Sequence, residues 1–370
     1  MARNKNIRFM NNQFASIVNT TFSSEQATFP SSNVLNDRRS KLWSPNGSFI
    51  IDDGNKRIYI DGSPGTITKG TYTGSTLAAE LETQFNAISS GWTVAYNSTN
   101  CRFELTNAGS RTLNFTTTTD AVWDDIGFLT NSNVSTPGTV SSDEPRVHTE
   151  EFIKVDLGVA LEPTFVGLVG PIDEAFSLSN EATVTIQANN VDEFDSPQLS
   201  IVATKTAGGI LEFIDSDTED RIFRFWKIKI EDRKNTQSST DGFKFGYFYL
   251  GDYKTFTTTN VTRGFSKEIQ DPSIRFTSES GQDFFQEKIK YYTYNSASIE
   301  VMKGQEREEM EQMFYDFGIT QSFFVAIDPL NGISLSNDEN TKLVRFETKP
   351  TFTHVFLDYY NFAFSLKEVI

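Results

Sequence analysis

The chain has 370 residues, enough for two or three domains at about 150 residues each. Its 49 acidic and 33 basic residues give a net charge of -16, which repels phosphate backbones and anionic lipids, so we expect no nucleic-acid partner. Neither a signal-peptide run nor an apolar stretch of membrane-spanning length is found in the sequence, which predicts a soluble chain made in a cytoplasm without membrane insertion.

The composition favours a mainly β fold, because abundant Thr, Ser and Asn with 33 Phe residues are typical of short strands joined by polar turns. An amphipathic helix interrupts this pattern at 71–87, with Thr73 or Ser75 as its expected N-cap and Gly91 beyond its end. Its apolar stripe consists of Leu77, Leu81, Phe85 and Ile88. We expect this helix to cover a sheet as scaffold.

Three strands are predicted between residues 183 and 253. The segment TVTIQA (183–188) alternates strictly, which predicts a one-sided strand that buries Val184 and Ile186 beneath a polar opposite face. The segment 221–232 places Trp226 on the face opposite Lys227, and both faces are expected to be covered at its beginning. The segment 242–253 is apolar in both phases, which predicts a central strand.

A second helix is predicted at 304–318, with Gly318 as the residue that ends it. Its apolar stripe consists of Met310, Met313, Phe314 and Phe317. Two polar stretches suggest boundaries: 131–151 is predicted to be a linker or long loop, and 254–275 marks a second change of pattern. The Asn-Gly pairs at 46–47 and 331–332 predict tight turns.

The sequence contains no arrangement that predicts catalysis. Cys101, the only cysteine, reads as an ordinary strand residue and excludes an intrachain disulfide. His148 is predicted to be a solvated loop residue and His354 a packed or edge strand residue. The nucleophile motif GxSxG and the nucleotide-binding motifs are absent, so we expect no catalytic residue, no cofactor and no enzyme activity.

Acidic and aromatic residues leave some alternatives open. The acidic pairs 52–53, 124–125 and 143–144 lie beside turn residues, where carboxylates serve solvation and Asx turns, although two acids could also form a glycan hydrolase site. The segment from Asp215 to Asp220 resembles a calcium loop but lacks its glycine and final glutamate, which favours a charged hairpin loop. Trp43, Trp92 and Trp123 are predicted core residues and, if exposed, candidate glycan contacts.

Several fragments resemble a known fold family. The segments 27–33 (ATFPSSN) and 42–44 (LWS) resemble the opening of discoidin-type carbohydrate-binding jelly rolls, and 152–158 (FIKVDLG) resembles the phrase that ends their first long strand. Further fragments follow in the same order at 163–169, 224–230 and 245–251. The resemblance covers 20–46 and 147–254 and implies a β-sandwich, without a defined set of sugar-binding residues.

The material between these fragments is similar to a small module found in virion proteins of phages and large viruses. The similarity rests on 70–81 (GTYTGSTLAAEL), 92–96 (WTVAY), 102–105 (RFEL) and 126–128 (IGF). It implies an α+β module with a linker at 47–146, inserted into a sandwich formed by 1–46 and 147–254. The remaining residues, 255–370, resemble the tail-tube or distal-tail fold, a β-rich domain with one helix.

The combination resembles tail-tip (distal tail or baseplate) proteins of long-tailed bacteriophages. This resemblance implies a structural protein of the virion tail tip that forms a symmetric homo-oligomeric ring and links the tail tube to host-recognition parts. Its expected partners are copies of itself and other tail proteins. A carbohydrate-binding adhesin that contacts host surface polysaccharide is the alternative, and a glycan hydrolase is a third reading.

Overall fold

The structure is a computed structural model. It describes residues 7–11, 19–36, 39–45, 47–130, 132–171, 178–203, 205, 209–214, 221–233, 244–256, 260–262, 265–327 and 341–370. Within the described residues the chain is mainly β, with 48% strand and 11% helix, and the two α-helices found there lie where the sequence predicts them.

The strands before and within the predicted insertion are short. The chain begins with β1 (Arg8–Asn11), β2 (Thr20–Phe22) and a 3-10 helix (Ser31–Leu35). The inserted segment contains β3 (Phe49–Ile51), β4 (Arg57–Ile60), β5 (Ser63–Thr66), β6 (Gly70–Tyr72), α1 (Gly74–Ile88), β7 (Trp92–Asn97), β8 (Arg102–Asn107), β9 (Thr112–Leu113), β10 (Val134–Ser135) and β11 (Gly138–Ser141).

Longer strands follow the insertion. The next group is β12 (Glu151–Leu161), β13 (Phe165–Val169), β14 (Thr183–Asn189), β15 (Leu199–Val202), β16 (Gly209–Phe213), β17 (Phe223–Glu231) and β18 (Tyr247–Thr255). The last group is β19 (Ser266–Gln270), β20 (Ile274–Thr277), β21 (Asp283–Gln286), β22 (Tyr291–Lys303), α2 (Gly304–Phe317), β23 (Phe323–Ala326), β24 (Thr341–Phe346), β25 (Thr351–Phe356) and β26 (Tyr359–Glu368).

Two sheets enclose the core of a sandwich. One sheet has the strand order β15-β14-β17-β12-β2, and the other is the β16-β13-β18 end of a ten-stranded sheet. Apolar side chains from both sheets meet between them, including Ile153, Val166, Ile186, Trp226 and Leu250. The central position predicted for 242–253 is confirmed, because β18 pairs with β13 on one side and with β1 on the other.

The strand predicted as one-sided is covered on both faces. Val184 and Ile186 are buried as expected, but Thr185 and Gln187 on the opposite face are buried too. Gln187 lies opposite Lys227 in the neighbouring strand. The long stem of a lysine can lie along such a face while its ammonium group reaches polar partners, which explains how a polar pattern becomes buried.

Strand β1 joins the sandwich to the C-terminal part of the chain. It pairs antiparallel with β18 and with β23, so the ten-stranded sheet runs through β16-β13-β18-β1-β23-β24-β26-β22-β19, and β25 pairs with β26. Phe9 is fully buried among the rings of Phe256, Phe323, Phe362 and Phe364. The boundary predicted at 254–255 therefore falls inside β18 and within a continuous sheet.

The segment 47–146, called the inserted module from here on, has its own core. It contains a four-stranded sheet (β10-β9-β4-β5), a three-stranded sheet (β11-β8-β7) and the β3-β6 pair. Helix α1 covers these sheets through buried Leu77, Leu81 and Phe85, as the sequence predicts. Thr73 is its N-cap and forms a reciprocal capping box with Thr76.

Two local expectations are wrong. Most of the predicted linker at 131–151 is structured, because β10 and β11 belong to the module's sheets and residues 147–151 are buried. The backbone of these polar segments pairs with neighbouring strands, and hydrophobic periodicity does not report such pairing. Cys101 lies in the turn between β7 and β8 with φ 55°, outside any strand. The stretch 254–275, where the sequence indicates a second change of pattern, contains β19, and the presence of this strand does not test that boundary.

Helix α2 is confirmed, with buried Met310, Met313 and Phe317 and with Gly318 at φ 57° after its end. Asn46, at the first predicted Asn-Gly turn, and residues 331–332, at the second, lie outside the described residues, as does the calcium-like segment 215–220.

Candidate functional site

An exposed hairpin projects from the C-terminal part of the chain. It consists of β20 and β21, and we call residues 274–286 the aromatic arm. Every residue in its two strands is exposed, and the rings of Phe276, Phe284 and Phe285 are 54%, 56% and 67% accessible. Phe276 lies opposite Phe284, while Phe285 lies on the other face opposite Arg275. The arm therefore presents aromatic surface on both faces.

Local interactions specify the shape of this arm. The backbone N–H of Gly281 donates to the carbonyl of Ser278 at 2.9 Å, and Gly281 adopts φ +81°, which favours glycine. Asp283 forms an ion pair with Arg275 and accepts a hydrogen bond from Thr277 at 2.7 Å. The hydrogen bond from Arg275 lowers the pKa of Asp283, so this carboxylate stays charged at neutral pH.

A second apolar surface lies at the turn between β25 and β26. Val355, Phe356 and Leu357, which we call the apolar tip, are exposed, and Leu357 is 83% accessible. The arm precedes the start of β22, whereas the apolar tip lies beside Tyr359, which pairs with Lys303 at the end of β22. The arm and the apolar tip are therefore connected to opposite ends of the 13-residue strand β22.

A polar junction lies between the inserted module and the sandwich. Two cavities of about 340 and 300 Å³ open there, and both are lined by Asp124, Glu231 and Arg233. Arg233 donates to Asp124 Oδ2 at 2.7 Å, and its Nη2 lies 2.9 Å from Asp125 Oδ1 without hydrogen-bond alignment. Burial raises the pKa of Asp125, and the charge of Arg233 opposes that rise.

The acidic pairs that the sequence singled out have structural partners. Asp124 and Asp125 share the guanidinium of Arg233, which offsets part of their negative charge, and Asp124 also lies 3.5 Å from Arg146. Asp52 accepts the N–H of Gly54 at 2.7 Å in an Asx turn, and Asp143 accepts the N–H of Leu129 at 2.8 Å. The expected turn role is confirmed for Asp52, whereas Asp143 binds a segment 14 residues away in the chain.

Two buried ionisable residues, Glu151 and His148, lie near the point where the chain returns from the module. Glu151 is completely buried and accepts hydrogen bonds from the hydroxyls of Ser23 and Ser24 and from the N–H of Ser48. Burial raises the pKa of Glu151 to about 7 despite these hydrogen bonds. The carboxyl group thus joins three segments of chain at the crossover.

The prediction that His148 is solvated is wrong. Its side chain is buried, Nε2 lies 3.0 Å from the carbonyl oxygen of Asp232, and burial lowers the pKa of His148 to about 4. The polar composition around it concealed this burial. His354 lies in β25, which has only β26 as a described partner, and its Nε2 lies 2.7 Å from the carbonyl oxygen of Leu357. The expectation of an edge strand residue is confirmed there.

The three tryptophans considered as glycan contacts belong to hydrophobic cores. Trp43, Trp92 and Trp123 are 0%, 3% and 3% exposed. Trp43 packs against Phe245 at 5.1 Å between ring centroids, and Trp92 stacks on Phe85 at the same separation. A sugar platform needs an exposed ring face, so the placement of these rings lends no support to glycan contact.

The sequence signalled the arm only weakly. Two short aromatic segments surround the polar SESG turn, but periodicity cannot tell whether another element covers them. Within the described residues, no three His, Cys, Asp or Glu side chains are placed to hold a metal ion together. No helix in that part of the chain has both the length and the apolar character needed to cross a membrane.

Comparison of the chain with protein-family models and with curated protein sequences finds no match to any of them.

Proposed function

We propose that this chain is a structural component of the tail tip or baseplate of a long-tailed bacteriophage, which acts by assembly rather than by catalysis. Two lines of reasoning support the proposal. The ordered sequence fragments resemble a discoidin-like sandwich that carries a virion-type insertion. The exposed aromatic arm supplies a surface that is suited to contact with another protein, and this observation carries the proposal.

The composition of the arm is unusual for a surface that remains in water. Single exposed apolar residues are common on proteins, but the arm gathers three exposed phenylalanines on two strands of four residues each. An isolated two-stranded hairpin is only marginally stable in water. Contact with a second protein would bury its rings and stabilise it.

The positions of the two apolar surfaces favour a head-to-tail contact between copies. The arm and the apolar tip differ in sequence and lie at opposite ends of β22. A contact between different patches on identical subunits is heterologous, and repetition of such a contact gives a ring or a stack. We therefore propose that the arm of one copy contacts the apolar tip of the next.

Replacing Phe276, Phe284 and Phe285 by serine should weaken self-association and leave the fold intact. If each ring contributes about 1 kcal/mol at the contact, the dissociation constant rises by roughly 100-fold. Sedimentation equilibrium of the purified full chain measures this constant, and circular dichroism checks the fold.

Val202→Ser is the matched control, because Val202 is exposed on β15, in a sheet that contains neither the arm nor the apolar tip. The control should associate like the original chain. An original chain that stays monomeric at every concentration, or a triple variant with unchanged association, would contradict self-assembly through the arm. Gold labelling of this chain at the tail tip of virions tests its location.

The structure offers the adhesin alternative no tryptophan platform, since Trp226 is buried like the other three. Titration calorimetry with host polysaccharide separates the two functions. Binding that persists in the arm variant would favour the adhesin, and absence of binding would leave assembly as the function.

A further inference from the structure

The inserted module and the sandwich do not share a hydrophobic core. The buried apolar residues of the module, from Phe49 to Phe128, form one cluster, and those of the sandwich form another with no member in common. Apolar burial therefore contributes little to holding these two units against each other. Some other interaction must fix the angle between them.

Ion pairs provide that interaction. Arg233, just after β17 of the sandwich, contacts Asp124 and Asp125 of the module, and Lys69 of the module lies 3.4 Å from Asp195 of the sandwich. Asp125 is buried, whereas Lys69 and Asp195 are exposed and therefore screened by salt. Most of the electrostatic attraction thus passes through Arg233.

The surroundings of Arg233 contain open space instead of packed side chains. Arg233 lines both cavities, of about 340 and 300 Å³, and acidic residues outnumber basic residues in their linings. Without the guanidinium group, these carboxylates would repel one another across the junction.

The covalent connection between the two units is narrow. The chain leaves the sandwich at Ser48 and returns at Thr149, whose N–H donates to the carbonyl of Ser48 at 2.9 Å. Glu151 accepts the N–H of Ser48 at 2.8 Å in the same place. Two adjacent crossover segments held together by hydrogen bonds have the form of a hinge, at which small changes in φ and ψ move a whole unit.

We propose that Arg233, Asp124 and Asp125 form an ionic latch that holds the inserted module at one angle to the sandwich, and that opening this latch lets the module swing about the crossover at residues 48 and 149. The latch is a conformational device of the fold and does not depend on the assembly function proposed above. Its release changes the direction in which the module points without unfolding either unit.

Distance measurement by pulsed electron paramagnetic resonance tests the latch in the full chain. Nitroxide labels are attached at Ser63→Cys on β5 and Val202→Cys on β15, two exposed positions, in a Cys101→Ser background. The original junction should give one narrow distance distribution. Arg233→Met should lose that single narrow peak and show a broad distribution that includes longer distances.

Two further variants make the result decisive. Arg233→Met combined with Asp125→Asn removes the latch without leaving a buried charge, so it should stay folded and show the same broad distribution. Arg111→Met removes the exposed ion pair with Asp61 inside the module and should keep the narrow peak. A narrow, unshifted peak in the Arg233→Met and double variants would overturn the latch.

Discussion

Leu81→Asp should unfold the inserted module while the sandwich stays folded. Leu81 is fully buried in α1 and packs in the module's own core, which the sandwich core does not share. The substitution removes a buried leucine and places a carboxylate among apolar side chains, a combined loss of about 5 kcal/mol or more. That loss is comparable with the whole stability of a domain of about 100 residues.

Limited proteolysis with mass spectrometry measures this outcome. Cleavage sites should appear between residues 47 and 146, while fragments from 150–254 resist the protease. Ala79→Asp is the control, because Ala79 lies on the exposed face of the same helix, and it should digest like the original chain. Digestion of the entire Leu81→Asp chain at one rate would show that the module does not fold as a separate unit.

Glu151→Gln should gain about 3 kcal/mol of stability relative to the original chain as pH rises from about 4.5 to 7.5. The folded-state pKa of Glu151 is about 7, above the ordinary value of 4.5. Its stabilising effect is therefore complete below pH 4.5 and is lost as pH rises through 7, where the buried carboxyl ionises. Glutamine keeps an acceptor for the Ser48 N–H and does not ionise.

His148→Gln should show a stability difference from the original chain that changes with pH in the opposite direction. The folded-state pKa of His148 is about 4, below the ordinary value of 6.5, so its contribution is present above pH 6.5 and is lost as pH falls towards 4. The variant should therefore gain about 3 kcal/mol over the original chain on acidification. In the original chain, the stability lost through Glu151 and the stability gained through His148 nearly cancel as pH rises from about 4.5 to 6.5.

Urea unfolding of the three proteins at a series of pH values checks both slopes. Only differences between proteins at the same pH are compared, since the other carboxyl groups then cancel. Two flat difference curves would mean that neither group changes its proton affinity on folding.

The sequence predicted those elements whose hydrophobic periodicity indicates which of their residues are buried. Helices α1 and α2 and the alternation of Trp226 with Lys227 in β17 depend on residues a few positions apart, so a local pattern is sufficient. Strands β10 and β11 have short polar sequences, and only their partners β9 and β8 make them strands. No local signal reports such pairing.

The ion pairs and buried residues at the junction could not be predicted from the sequence for the same reason. The acidic pair at 124–125 was visible, but its partner Arg233 lies 109 residues beyond Asp124. His148 and Glu151 looked like solvated linker residues because their burial depends on elements contributed by other parts of the chain. Contacts with distant parts of the chain determine whether a polar side chain is buried with a hydrogen-bond partner or exposed to water.

The pairing of strand β1 constrains the order in which the chain folds during synthesis. Its residues Arg8–Asn11 are translated before both of their partner strands, and they pair with 252–255 on one side and with 325–326 on the other. At typical elongation rates of about 5–20 residues per second, roughly 15–60 s pass before the second partner strand leaves the ribosome. Until then β1 lacks both of its neighbouring strands, so closure of the ten-stranded sheet is a late step in folding.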